Sequence, residues 1–527
     1  MKRLNYLAFI VLVMMGQNGF ASTNHLTALT DGELSAETGQ ALFNLSYIAP
    51  TDTSNLMNGK TIAGDSVGKV GFYKLGMEGE LELNSNIKSL QLGCGGRNGP
   101  DGCDIEINNL SLSGLPDGGT HNNLGVATPN GGYDANGNPV YANGRASTSA
   151  KLVNPFLEFA IKDPDKASTR EFLGFRVSAE KIYGLLTAGL ENLNYASNDG
   201  IQSLSGFMRI AATSGSVTTK ETLFGQTADQ ALGASATSGP YSDPDQKPNM
   251  IVNLLGEHKR IFKSNPGAPD NHGISVPSIE NINFNTPAFQ VNGVRNTNAV
   301  VKDIRLKMAS IPLGKLSAGM VNGVQQFTSV GAKNQLYVTY APILLLASDA
   351  KFQVADGSDV RNLHLSIDFN QSLSMIHNVV LNGNGGYLSL QKQQMLWPGA
   401  YVAENTGVTE INNMTKSDVA QPGWWMSFKD EVQLGKLQAS EPVDISSSLP
   451  QVAQLTSRFL QDNPVMISGS EGLQALVGNP IVKLLNIDLE TYTNPVSSGT
   501  PAKVVMQNLQ LANQNVVSNC YGSLKFC

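Results

Sequence analysis

The strongest constraint on this fold is a regular alternation of apolar and polar residues along two extended stretches of the chain. Residues 78–93 and residues 103–113 both alternate in this way. Side chains of a β-strand point to opposite faces with the same period of two. The Gly-rich segment from Cys94 to Cys103 lies between the two stretches. We therefore predict one long β-hairpin over residues 78–113, clamped at its tip by a Cys94–Cys103 disulfide.

The four cysteines fall into two local pairs, Cys94 with Cys103 and Cys520 with Cys527. Four cysteines allow three pairings. The short, Gly-containing loops favour the two local disulfides. A four-cysteine zinc site is the alternative, but the paired ligands of such sites are usually only about two to four residues apart. We predict two disulfides, no metal and no other cofactor.

One fragment recurs along the chain: an apolar residue, any residue, then Asn, Asp or Ser, an apolar residue, any residue and an apolar residue. Its apolar positions cannot all face one side of a flat strand, because side chains alternate. A β-bulge or bend at the Asn, Asp or Ser would bring them to one face. The alternative is that both faces are partly buried. The copies are Ile87–Leu92, Ile107–Leu112, Ile279–Phe284, Val301–Leu306, Val360–Leu365, Leu484–Leu489 and Met506–Leu511.

These patterns predict a mainly β fold: long antiparallel sheets and hairpins with bulges, few short helices, and long Gly/Asn/Pro-rich loops. Leu449–Leu460, with Pro450 in the first turn, is the clearest helix. Residues 178–193 have the apolar spacing of a helix but contain two glycines. The predicted organisation is a signal peptide (1–21), a short helical segment (22–45), an N-terminal β domain (46–225) with a surface loop (114–150), a loop-rich linker (226–275) and a C-terminal β domain (276–527).

The N-terminus has the pattern of a secretory signal. Lys2 and Arg3 precede an apolar run, Leu7–Met15, that is too short to span a bilayer, and Gly19 and Ala21 suit cleavage after Ala21. A short N-terminal anchor is the alternative. No later apolar run has the length of a transmembrane helix. We predict an exported protein at the cell surface, in a pilus or at the outer membrane, or alternatively in the periplasm.

Charge and motifs argue against several functions. The chain has 36 basic and 43 acidic residues, a net charge of −7, which disfavours a nucleic-acid partner. Ser66 lies in a G-x-S-x-G pattern, but a strand-like stretch follows it where that motif needs a helix. Gly59-Lys60-Thr61 lacks the upstream glycine of a phosphate loop, and Pro139 interrupts a calcium-loop pattern. We predict that the protein is not an enzyme.

Two pairs of side chains remain as candidates for binding. Trp424 and Trp425 follow a Pro-Gly turn and would offer a stacking platform for a partner or a sugar, the alternative being one core and one rim residue. His364 and His377 lie on neighbouring strand-like runs and would meet across a hairpin. Solvent-facing strand positions are the simpler interpretation of both histidines.

Three stretches resemble one family of exported proteins. They are LTDGELSAETGQA at residues 29–41, FYKLGM followed by NIKSLQLGCGG and CDIEINNLSLSG, and the run from NPFLEFAIKDPDK to LLTAGLENL. Together they resemble the pilus-system surface proteins called Fil in Acinetobacter. The resemblance covers residues 29–114 and 151–225 best. It implies a pilus or surface role and supplies no catalytic residues.

Three functions are compatible with these observations. The first is a non-enzymatic exported surface protein of a pilus or fimbrial system, acting in assembly or adhesion with other pilus proteins or itself. Edge pairing or donor strands would mediate such assembly. The second is a periplasmic or surface protein that binds a carbohydrate, such as a surface glycan, or another ligand in a groove. The third, an outer-membrane β-barrel, is disfavoured by the 7% aromatic content and the long loops.

Overall fold

A computed structural model describes residues 43–95, 102–114, 149–190, 198–233, 247–340, 349–403, 407–435, 437–439, 441–492 and 502–507. Within these ranges the chain is mainly β, which confirms the predicted fold class. The two helices are α1 (Leu449–Asp462) and α2 (Gly469–Leu476). Neither described helix is long and apolar enough to cross a membrane.

The strands of the first half are β1 (Phe43–Ile48), β2 (Thr61–Ile62), β3 (Asp65–Ser66), β4 (Val70–Met77), β5 (Glu80–Leu83), β6 (Ser85–Leu92), β7 (Ile105–Ser113), β8 (Ala150–Lys162), β9 (Glu171–Ala188), β10 (Gly200–Ile210), β11 (Thr213–Val217), β12 (Thr222–Phe224), β13 (Met250–Asn253), β14 (Glu257–Arg260), β15 (Phe262–Ser264) and β16 (Ile274–Val276). Those of the second half are β17 (Ile282–Thr286), β18 (Phe289–Asn296), β19 (Asn298–Pro312), β20 (Lys315–Val321), β21 (Val324–Ser329), β22 (Gln335–Tyr340), β23 (Ala350–Val354), β24 (Asp359–Ser372), β25 (Asn378–Asn382), β26 (Gly386–Gln391), β27 (Gly423–Val432), β28 (Leu437–Gln438), β29 (Val465–Ser468), β30 (Ile481–Lys483), β31 (Asn486–Asp488) and β32 (Ala502–Gln507).

The largest sheet combines strands from both halves of the sequence. Its main order is β1-β4-β8-β9-β26-β27-β10-β7-β6. Part of it closes on itself, because β9 pairs with β26 through residues 174–178 and with β7 through residues 185–188. The pairs β7–β10, β10–β27 and β27–β26 complete a ring of five strands. Its interior is apolar and includes Leu204, Met208 and Phe428.

On the far side of β9 the sheet continues through β8 and β4 to β1. On one face of the extension the chain between β1 and β4 and the chain between β26 and β27 contribute to a second apolar core. Phe72, Trp397 and Trp425 are its largest fully buried side chains besides Phe207. This layer positions the pocket described below.

The other strands form smaller sheets around the first core. The longest pair is β19 with β24. Helix α1 buries Val452, Leu455 and Leu460 in the same core. The described part of residues 43–527 belongs to one compact unit.

Four copies of the recurring fragment have the backbone turn that the bulge-or-bend interpretation requires. Their third residue has a left-handed backbone, which a non-glycine residue adopts mainly when it is Asn or Asp. At one copy the β19–β24 register shifts between Val301 and Ile304. The four residues are Asn109 (φ 53°), Asn281 (φ 55°), Asp303 (φ 58°) and Asn362 (φ 55°).

At two of these positions the strand exchanges neighbours. Before Asn109, β7 pairs with β10, and after it with β9. Before Asn362, β24 pairs with β31, and beyond it with β32. The left-handed residue therefore marks a bend where one long strand passes from one neighbour to the next. Ser89 and Asn486, in two other copies, are not left-handed, and the third residue of the last copy lies outside the described residues.

Several local predictions are confirmed. β6 and β7 form the predicted hairpin over residues 85–113, and Cys94 is disulfide-bonded to Cys103, but residues 80–83 of its predicted first arm form β5, which pairs with β8 instead. The predicted helix is α1, with Pro450 in its first turn. The Cys520–Cys527 pair, the signal peptide, most of the 114–150 loop and the calcium-loop pattern lie outside the described residues.

Other predictions need correction. Residues 43–45 of the predicted helical segment are strand. The helix-like stretch from residue 178 belongs to β9 as far as Ala188. Gly184 is needed there for close packing, since a Cβ on it would lie 2.7 Å from Ala150 Cβ and 2.8 Å from the Ser113 carbonyl oxygen. Helix α2 was missed, although Ser468 and Glu471 form a capping box at its start.

The division into two β domains is also wrong. β26 and β27 belong to the predicted C-terminal domain, yet they lie between β9 and β10 of the predicted N-terminal domain. The predicted linker, residues 226–275, contributes β13, β14 and β15 to sheets shared with later strands, and most of β16, which pairs with β12. Long-range strand pairing overrode the loop-like composition of this segment.

Candidate functional site

The two adjacent tryptophans lie on opposite faces of β27. Trp425 is 0% exposed, and its Nε1 donates to Asp418 Oδ1 at 2.9 Å. Trp424 is half-buried, with its ring edge-on to Phe175 at 6.0 Å between centroids. Trp425 therefore cannot contact a partner: the pair is one core and one rim residue, the alternative given above, and not a two-tryptophan platform. A contact role for Trp424 stays a prediction.

Trp424 stands at the end of a continuous apolar face that crosses six strands. Residues directly opposite each other in paired strands share a face. The register places Leu45, Leu75, Leu157 and Val177 in one such row. The parallel row, from Tyr47 through Tyr73, Phe159, Phe175 and Leu390, ends at Trp424.

We call the part of this surface that lies on β9, β8, β4 and β1 the open apolar face. Leu388 and Trp424, within the ring, pack against the first core, whereas the residues from β9 to β1 are half-buried or exposed. Phe43 is 53% exposed, Leu45 73% and Tyr47 41%. The open apolar face comprises Phe43, Leu45, Tyr47, Tyr73, Leu75, Leu157, Phe159, Phe175 and Val177.

β1 is the outer strand of this face. Among the described strands it pairs with β4 alone. Natural free edges are usually protected by charged residues, proline, a bulge or a short strand. β1 has the sequence FNLSYI, without charge or proline. Its outer edge therefore presents backbone donors and acceptors beside an exposed apolar row.

The opposite face of the same strands contains a buried ion pair. Arg176 Nε donates to Glu158 Oε2 at 2.5 Å, with side chains 6% and 1% exposed. Burial raises the pKa of Glu158, although Arg176 acts in the opposite direction. The guanidinium also lies over the rings of Phe156, Tyr387 and Trp397, 5.3 to 5.5 Å from their centroids. The surrounding rings and carboxylate restrict the movement of Arg176.

A buried aspartate ties the covering layer to this face. Asp418 is 0% exposed and accepts hydrogen bonds from Trp425 Nε1, from Tyr387 Oη at 2.8 Å and from Ser427 Oγ at 2.6 Å. Burial raises its pKa, and the three donors oppose that shift. Through Tyr387 the network holds one of the three rings that surround Arg176.

A pocket of about 240 Å³ opens above the ion pair. It is lined by Phe156, Glu158, Arg176, Tyr387 and Lys429, among others. Lys74 and Glu180, joined at 2.8 Å, line both this pocket and a neighbouring one of about 380 Å³. Burial lowers the pKa of Lys429, and the nearby Arg176 adds to the effect.

The other predicted candidates do not join this site. Ser66 is exposed in the short hairpin of β2 and β3. His364 is half-buried on β24, whereas His377 is buried with Nδ1 3.0 Å from the Ala188 carbonyl oxygen. Burial lowers the pKa of His377. The described residues contain no cluster of three or more His, Cys, Asp or Glu suited to a metal ion.

Sequence reasoning missed the charged pocket. Glu158 and Arg176 are single charges within apolar strand runs, a pattern that indicates a buried or functional charge. Their pairing depends on the β8–β9 register, which places them directly opposite each other.

A comparison of the chain with protein-family models, curated proteins and solved structures finds no match.

Proposed function

We propose that this chain is a non-enzymatic exported surface protein that takes part in the assembly of a pilus or in adhesion. In this proposal it binds an extended strand of a partner protein along β1. The single observation behind the proposal is the free edge of β1 beside the open apolar face. The resemblance to Fil proteins supports the pilus context.

Strand addition uses both features of this edge. Backbone hydrogen bonds to a free edge give affinity, and alternate side chains give specificity. A partner strand with apolar residues at every second position would continue the row of Phe43, Leu45 and Tyr47. Apolar patches of this kind mark interaction sites on soluble proteins.

The partner is a different protein rather than a second copy. Two copies paired antiparallel through β1 would be related by an axis perpendicular to the sheet. Their open apolar faces would then lie on the same side, so the exposed surface would be enlarged instead of covered. A pilus protein that adds a strand and covers the face leaves less apolar surface in water.

Cell fractionation tests this function. Appendages are sheared from cells that carry the tagged protein, and filaments, membranes and periplasm are blotted. We expect the protein in the filament fraction. Leu45→Lys places a charge on the apolar row and should release it, whereas Val324→Lys on the exposed β20–β21 hairpin should not.

Two results would contradict the proposal. One is recovery of the unaltered protein only in the soluble periplasm. The other is filament association of Leu45→Lys equal to that of the unaltered protein. Disulfide-linked homodimers of a Leu45→Cys protein on cells would contradict the choice of a different protein as the partner.

A further inference from the structure

The pocket above the ion pair has an excess of positive charge. Glu158 is bound to Arg176, and Glu180 to Lys74. Within the described ranges the third cation, Lys429, has no carboxylate within ion-pair distance. Three cations and two carboxylates therefore line one small cavity.

Arg176 has unused hydrogen-bonding capacity in this pocket. A guanidinium carries five N–H donors, and in the described part of the chain only Nε of Arg176 has a hydrogen-bond acceptor. The two terminal nitrogens of Arg176 are not fully buried, and the residue lines the pocket. Their N–H groups therefore open into the cavity, although the side chain as a whole is 6% exposed.

The walls also limit what the pocket accepts. Ile48, Phe156, Tyr387 and Pro398 supply apolar surface beside the charges. The polar groups of Ser178 and Asn384 already donate to the Gly386 carbonyl and to Asp430. Two cationic groups, Arg176 and Lys429, thus remain for a ligand, next to a wall suited to a small carbon skeleton.

We propose that this pocket binds a small organic carboxylate, of the size of an acidic monosaccharide or an aromatic acid. The terminal nitrogens of Arg176 hold the carboxylate in the bidentate geometry that a guanidinium favours. Lys429 contributes the second positive charge, and the apolar wall packs against the body of the ligand. This inference is independent of strand addition at β1.

A carboxylate fits better than the other simple anions and cations. A metal cation would face three positive side chains. A phosphate monoester has about two negative charges at neutral pH, whereas the pocket has a surplus of one positive charge. A neutral sugar would leave the surplus positive charge, that of Lys429, without a counter-charge.

Calorimetric titration of the purified protein tests the proposal with matched ligands. Glucuronate and glucose differ by one carboxylate, glucose 6-phosphate replaces it with a phosphate, and benzoate joins a carboxylate to an aromatic ring. We expect glucuronate or benzoate to bind and glucose to give no heat. Lys429→Met should weaken binding about tenfold, the loss of one charge-assisted contact.

A second substitution tests whether the planar shape of the Arg176 guanidinium matters in addition to its positive charge. Arg176→Lys retains the charge but not the planar fork, and should weaken binding at least as much as Lys429→Met. Lys392→Met, which removes an exposed lysine paired with Glu171, is the control and should bind normally. Circular dichroism and thermal melting establish that each variant is folded. If Arg176→Lys does not fold, Lys429→Met alone decides.

Three results would overturn the proposal. They are no binding of either carboxylate, equal binding of glucose and glucuronate, and unchanged affinity in a folded Lys429→Met protein. Tighter binding of glucose 6-phosphate would overturn the assignment to carboxylates. Leu45→Lys should bind glucuronate or benzoate as the unaltered protein does, so failure of strand addition and failure of this pocket are distinguishable.

Discussion

At the scale of the residue, a left-handed Asn or Asp allows the long strands of this protein to bend. Asn281 has the same conformation immediately before β17: it is exposed, has φ 55°, and precedes the buried residues Ile282 and Phe284. Most L-residues are strained in this conformation, because Cβ approaches the following carbonyl oxygen. Asn tolerates it better than Ala, and glycine best of all.

Substitution of Asn281 tests this role. We expect Asn281→Ala to lower the free energy of unfolding by about 1 kcal/mol, and Asn281→Gly to change it by less than about 0.5 kcal/mol. Ser89→Ala, at the same position of a copy without a left-handed residue, should have little effect. Urea denaturation measures all three. Equal destabilisation by Ala and Gly would contradict the conformational explanation.

A second residue-scale prediction concerns Glu410. The Gly64 N–H at 3.0 Å is the main cause that lowers the pKa of Glu410 from 4.5 to about 2, aided by the Ala63 N–H and the Thr61 hydroxyl. Because the folded value lies below the ordinary one, the unfolded chain binds more protons between them. The stabilisation is present above pH 4.5 and is lost as the pH falls toward 2.

We therefore expect the melting temperature of Glu410→Gln to be lower than that of the unaltered protein at neutral pH. The difference should shrink as the pH falls through the window from 4.5 to about 2. Glu82→Gln, an exposed carboxylate on β5, is the control. A difference that stays constant across this range would rule out a titrating Glu410.

At the scale of the element, buried polar groups attach the irregular segment between β26 and β27 to the sheet. Asp418 is the central acceptor, with donors from Tyr387 on β26 and from Trp425 and Ser427 on β27. Its backbone N–H also donates to the Tyr401 carbonyl at 2.8 Å. Through Tyr387 these bonds connect the segment to one wall of the pocket.

Substitution of Asp418 by Asn should therefore destabilise the protein. The amide turns a donor toward groups that are themselves donors, and leaves at least one of them unsatisfied in the core. We expect a loss of about 2–3 kcal/mol in the free energy of unfolding. Denaturation followed by tryptophan fluorescence measures it, with the exposed Asp65→Asn as control. A loss within about 0.5 kcal/mol would mean that the network is not strongly coupled to folding.

At the scale of the whole molecule, one sheet joins regions distant in sequence. β26 fills the place beside residues 174–178 of β9, and β27 the place beside β10. Without these strands β9 and β10 lose pairing partners, and apolar residues such as Phe207 are uncovered. The N-terminal half should therefore depend on the C-terminal half.

Separate expression tests this dependence. We expect residues 46–225 alone to be insoluble or rapidly digested by trypsin, and co-expression of residues 226–527 to restore resistance. An N-terminal fragment with cooperative unfolding and strand-rich circular dichroism would show that the ring is not needed for folding. The full chain, treated in parallel, provides the reference digestion pattern.

Much of the local structure is predictable from neighbouring residues. The β6–β7 hairpin, its Cys94–Cys103 disulfide, helix α1 and the left-handed Asn and Asp positions all depend on short-range patterns of alternation, spacing and turn chemistry. Helix α2 belongs to the same class, since its capping box is visible in the sequence. Such elements are specified by interactions over a few residues.

The pocket and the open apolar face are different, because both depend on register between distant strands. Alternation alone cannot say that Glu158 faces Arg176, that Trp425 is buried while Trp424 lies on the other face, or that β26 separates β9 from β27. A one-residue change of register would move every side chain of a strand to the opposite face. The sequence thus determines the strands, their bends and the local disulfide. Packing between distant strands decides which side chains form the core, which charges share a pocket and which edge stays free among the described strands.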